Sequence, residues 1–99
     1  MFLFTVEDTF LITGRGVVLT PGFGDKPVRV GAVIRLIRPD QSTLLTTIRG
    51  IEFHSDHPIL IGQNLKKEDV PIGTEVWLEE EPYNPKGENN GIASEVEST

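Results

Sequence analysis

The sequence predicts an all-β domain, a small antiparallel barrel of about six strands with a flexible acidic C-terminal tail. Three observations carry this. Short apolar, β-branched runs recur along the first 78 residues, separated by clusters of Gly, Pro, Asn, Asp and Ser. One pair of runs, Thr9 to Thr13 and Val17 to Thr20, flanks Gly14-Arg15-Gly16, the pattern of two strands folded back through a glycine turn. From Glu79 onward the apolar pattern stops.

Taken in order, Phe2 to Val6 reads as a first strand. Glu7-Asp8 marks a bend, and Thr9 to Thr13 continues extended. Gly14 and Gly16 bracket a tight reversal, because glycine takes positive φ without a Cβ clash. Val17 to Thr20 is the return strand. It should end at Pro21, which has no N–H for a ladder. The loop Pro21 to Pro27 leads to a short strand at Val28 to Val30 and a turn at Gly31.

Val33 to Arg38 is the next strand, with Ile34 and Leu36 on one face and Val33, Arg35 and Ile37 on the other. Pro39 to Ser42 has turn composition. Thr43 to Phe53 reads as one long strand, in which Gly50 signals a bulge or a close contact. His54 to Pro58 is a loop, Ile59 to Ile61 a short buried strand, and Leu65 to Val70 one helical turn. Pro71-Ile72-Gly73 redirects the chain into a last strand, with Thr74, Val76 and Leu78 on one face.

The 99 residues suit one barrel domain over 1–78 and an acidic, disordered tail over 79–99. The tail holds six of the fifteen acids and one of the nine bases, so it carries most of the net charge of −6. It has too few apolar residues to offset its ordering entropy. The near-neutral body neither demands a polyanionic partner nor excludes one. With no cysteine there is no disulfide framework and no thiolate chemistry. The apolar start is broken by Glu7 and Asp8 and does not read as a signal peptide, and no run approaches membrane-spanning length. The expectation is a cytoplasmic chain that does not enter a membrane.

Catalytic residue types cluster at His54-Ser55-Asp56-His57. Two histidines and an aspartate could begin a metal site, but no further ligand is near and Pro58 argues for a plain loop. Adjacent residues in one loop do not supply a triad. Gly22-Phe23-Gly24 lacks the Lys-Ser/Thr ending of a phosphate loop. The reading is no metal, no cofactor, no GTP binding by this chain alone and no enzyme. Arg15, Arg29, Arg35, Arg38 and Arg49 could form a basic patch, but few aromatics accompany them for stacking bases.

Five pieces occur in a fixed order: FLFTVEDTFLI, the Gly14-Arg15-Gly16 turn, the turn into VGAVIRLI, Gly50-Ile51-Glu52, and LKKEDVPIG before the last strand. Together they resemble the β-barrel second domain of translational GTPases, that of elongation factor Tu most closely, over about Phe2 to Leu78. The resemblance implies a barrel that helps hold the aminoacylated end of tRNA. Glu52 resembles the glutamate that lines the pocket for the terminal adenosine, Val18 an apolar lining residue, and Ile61 another. Arg15, in the turn, completes the set expected to meet RNA or another partner. The chain departs from the family at Phe53-His54-Ser55, where an arginine is absent, in the shortened segment to Pro58, and at Pro21. The reading is a non-catalytic binding module for a protein partner; the alternative is the acceptor end of tRNA or another RNA.

Overall fold

The computed structural model describes residues 1–62 and 64–79. Among these residues it is all-β, with two four-stranded antiparallel sheets and a single 3₁₀ turn. The strands are β1 (Phe2–Thr5), β2 (Asp8–Ile12), β3 (Gly16–Thr20), β4 (Val33–Ile37), β5 (Thr43–Thr47), β6 (Gly50–Ile51), β7 (Ile59–Ile61) and β8 (Glu75–Leu78). One sheet has the order β1-β8-β4-β5 and the other β2-β3-β7-β6. No helix among the described residues is long and apolar enough to cross a membrane.

The glycine turn forms as the sequence predicts. Gly14 and Gly16 have φ of +83° and +136°, and the Arg15 amide donates to the Ile12 carbonyl at 2.9 Å. Strands β2 and β3 then pair over five positions, from Ile12 with Gly16 to Asp8 with Thr20. β3 stops before Pro21. On β4, Ile34 and Leu36 are fully buried while Arg35 and Ile37 are partly covered, the division expected from their alternation. The 3₁₀ turn Lys67–Asp69 starts with the Lys66 amide donating to the Asp69 carboxylate at 2.8 Å.

Two strand expectations need correction. Val28 to Val30 forms no strand; the Ala32 amide instead bonds back to the Arg29 carbonyl, so the segment turns. Thr43 to Phe53 is not one strand. It splits into β5, in one sheet, and β6, in the other. Between them Ile48 is buried, its amide bonding Ala32 O, while the Arg49 amide bonds Leu60 O. Gly50 also pairs with Leu60, so two residues oppose one. That is a bulge, and it explains why Ile48 and Ile51 both face the core although three residues apart.

A similar passage joins β1 to β2. The Val6 amide donates to Thr74 O in the first sheet, and the next amide, Glu7, donates to Thr20 O in the second. Between the sheets lies one core of Leu3, Val6, Val17, Leu19, Ile34, Leu36, Ile48, Ile59, Ile61, Val70 and Val76, with Phe4 and Phe23 at its margins. Thr74 is buried with them and satisfies its hydroxyl by donating to Pro71 O at 2.7 Å.

The tail expected over 79–99 lies outside the described residues, except Glu79. Glu79 is held to the body: its amide donates to Val33 O at 2.9 Å and its carboxylate takes both Arg35 Nε and Nη2.

Candidate functional site

Residues paired across a sheet share a face. In the second sheet Val17, Leu19, Ile59 and Ile61 point inward. The opposite face carries the row Phe10, Val18, Leu60 and Gly50. Glu52, two residues beyond Gly50, belongs to that outer face, and its amide donates to Pro58 O at 2.8 Å. Arg15 reaches the same face from the glycine turn. Its Nη2 donates to Glu52 Oε2 at 3.2 Å, joining residues 37 apart in the chain.

Two residues singled out from the sequence, Arg15 and Glu52, are therefore in contact; Val18 lies on the same face of the sheet but is only 5% exposed. Ile61 is not among them. It is 0% exposed and faces the core opposite Val17, so its side chain cannot line an external site. The correction has a simple cause: side chains alternate, and the outward position of β7 is Leu60. Leu60 itself, Arg49 and Asn64 were not singled out for the pocket. With Gly14 and Arg15 they line a cavity of about 510 Å³.

Glycines shape this end of the sheet. A Cβ on Gly16 would lie 2.0 Å from the Ile61 carbonyl oxygen, so only glycine lets β3 approach β7 here. A Cβ on Gly62 would lie 2.9 Å from Asn64 Oδ1 and 4.0 Å from Arg49 Nη1, so both polar heads fold over that position. Arg49 is exposed, and its guanidinium makes no hydrogen bond or ion pair with any described residue.

The other arginines do not gather into one patch. Arg35 is bidentate to Glu79, at 3.0 and 2.9 Å. That pairing raises the guanidinium pKa and lowers that of the carboxyl, chiefly through the side-chain hydrogen bonds. Arg38 donates to Asp69 O at 2.7 Å and to Ser42 Oγ at 3.2 Å. The Asp40 carboxyl beside it is held below its ordinary pKa, first by the Ser42 hydroxyl and then by the Ser42 amide.

The histidine loop has a structural task. His57 stacks on Phe23 with centroids 5.3 Å apart, and its Nδ1 lies 2.9 Å from Gly24 O. Backbone bonds from Gly24 N to Asp56 O and from Phe23 N to His57 O complete the tie between two loops. His54 Nδ1 accepts from the Asp56 amide within its own loop. Neither histidine meets a third metal-ligating side chain among the described residues.

The outer face of the first sheet carries large apolar side chains among Arg35, Glu75, Thr43 and Thr47. Phe2 pairs with Trp77, Trp77 with Arg35, and Arg35 with Leu45. Phe2 and Trp77 make an edge-to-face contact at 5.4 Å. Val33 lies on the same face beside Arg35, and Leu45 is 52% exposed. No family model matches the chain, and no solved structure matches it.

Proposed function

We propose that the two sheets close into one six-stranded barrel of the translation-factor domain 2 type, acting as a non-catalytic binding module for a protein. Closure is supported by the two passages between sheets, β1 into β2 and β5 into β6. Both lie at sheet edges, so each counts as one long strand shared by the two sheets. The observation that carries the binding reading is the row Phe2, Trp77, Arg35 and Leu45, with Val33 beside it, on the outer face of β1-β8-β4-β5: apolar side chains around one arginine that Glu79 already neutralises. Exposed apolar patches of this kind mark interaction surfaces. Aromatic residues carry much of the binding energy in such interfaces.

The test is capture from an extract of the native cell, with the parent chain and with Leu45→Asp, before and after ribonuclease. A protein retained by the parent, resistant to ribonuclease and lost with Leu45→Asp, supports the reading. Retention of the same protein by both chains contradicts it.

A second reading, the aminoacylated end of tRNA, is favoured by one observation: Arg15 and Glu52 meet on the face of the second sheet that also carries Val18. A carboxylate accepts hydrogen bonds only, as recognition of a sugar hydroxyl or a base amino group requires. Titration of charged and 3′-truncated tRNA at two salt concentrations tests it. Preference for the intact charged end, lost in Glu52→Ala, would replace the protein reading; weak binding blind to the 3′ end would leave it standing.

A further inference from the structure

We propose that the groove centred on Arg49 takes an acidic peptide: a partner segment bearing one carboxylate between apolar side chains. This rests on the protein-partner reading and adds the chemistry of the partner. Two cavities, of about 510 and 360 Å³, share Arg49 and Asn64. The larger contains Arg15 and Leu60. The smaller contains Val33 and Leu45, which belong to the apolar face of the first sheet. The groove is thus continuous with the proposed docking surface, with Arg49 at its centre, Arg15 and Leu60 at one end and Val33 and Leu45 at the other.

Its charge selects the ligand. The Arg49 guanidinium is unpartnered among the described residues, and Arg15 commits one nitrogen to Glu52. A guanidinium has five N–H donors in a planar fork, which fits a carboxylate bidentately. Counting Arg15, Arg49 and Glu52, the local charge is a single positive unit. That balances one carboxylate but leaves a phosphate dianion undercompensated. The chain's net charge of −6 also repels a polyanion at long range, whereas a peptide with one carboxylate is little affected. Neither cavity is lined by a lysine, and each offers an aliphatic wall, Leu60 in one and Val33 with Leu45 in the other. Asn64, folded over Gly62 beside Arg49, supplies amide donors for the remaining carboxylate lone pairs.

The experiment is an NMR titration of the full ¹⁵N-labelled chain with the acetylated, amidated peptide Ser-Leu-Glu-Leu-Ser and with its Gln counterpart. The Arg49 Nε–H and Asn64 side-chain signals report the site. The Glu peptide should move them and bind about tenfold more tightly than the Gln peptide, the scale of one charge-assisted hydrogen bond. Arg49→Gln should abolish that preference with backbone signals elsewhere unchanged, and Arg49→Lys should keep part of it. Equal binding of the two peptides, or a preference that survives Arg49→Gln, would overturn the proposal. So would a short single-stranded RNA or inorganic phosphate that outcompetes the Glu peptide at Arg49. Failure of the face reading is separable. If Leu45→Asp leaves protein capture intact while the Glu preference at Arg49 holds, that reading falls and this site stands.

Discussion

Replacing Gly16 by alanine should damage the fold more than replacing Gly14, although both have positive φ. The new methyl at position 16 would sit 2.0 Å from the Ile61 carbonyl oxygen and 3.1 Å from the Gly62 carbonyl carbon. Both contacts are backbone, so no side-chain rotation relieves them. β3 would have to part from β7 at that end, weakening pairing at Val17 with Ile61. Strain at such a φ costs about 1–3 kcal/mol. A lost or lengthened ladder bond adds about 1 kcal/mol. The expected loss is about 3 kcal/mol, or roughly 12–24 °C in Tm for a domain of this size. At Gly14 a Cβ meets nothing within 4 Å, leaving only the left-handed backbone cost of about 1–2 kcal/mol. Urea unfolding followed by fluorescence of Trp77, the single tryptophan, measures both. A Gly16→Ala chain within about 1 kcal/mol of the parent, or a Gly14→Ala chain that is the weaker of the two, would refute the close-approach argument.

Other outcomes follow from the same geometry. Leu36→Ala, in the centre of the core, should cost about 2–5 kcal/mol by urea unfolding. Ile61→Ala should behave likewise, as a core residue does, whereas Arg15→Ala should shift stability by no more than about 1 kcal/mol because its ion pair with Glu52 is exposed. Acid should weaken the fold through Glu79 and Asp40. Both carboxyls have folded pKa values lowered below their unfolded ones, so their contribution is present above the unfolded values and is lost as pH falls through the folded values. Glu79→Gln should therefore flatten the fall of Tm with decreasing pH below the ordinary carboxylate range, and an unchanged profile would contradict the role given to Arg35 and Glu79.

Much of this arrangement is legible in the sequence because local chemistry decides it. Gly14-Arg15-Gly16 turns because two positions require positive φ, and Ile34 and Leu36 go inward because strands alternate. The split of Thr43 to Phe53 is not legible in the same way. Its composition is uniformly β, and what divides it is the passage from one sheet to the other, a tertiary requirement. Gly50 signalled the bulge but not that the chain changes sheets there. Of the candidate residues named from the sequence, Arg15 reaches Glu52, while Val18 shares their face of the sheet but is 5% exposed. The assignment of Ile61 failed by one residue, which in a strand moves a side chain from solvent to core. Arg49 and Asn64 could not be placed beside Arg15 without knowing the β3–β7 register, because neither lies in a motif.

The central claim is that the outer face of β1-β8-β4-β5 meets a protein. It is tested most directly by placing the photoreactive residue p-benzoylphenylalanine at position 45, at position 33 and, as a control, at Asp25 in the exposed loop, then irradiating the chain in its native cell. The account expects one protein adduct shared by positions 45 and 33, resistant to ribonuclease and absent from the loop control. Adducts with RNA at those positions, or the same protein adduct from position 25, would contradict it.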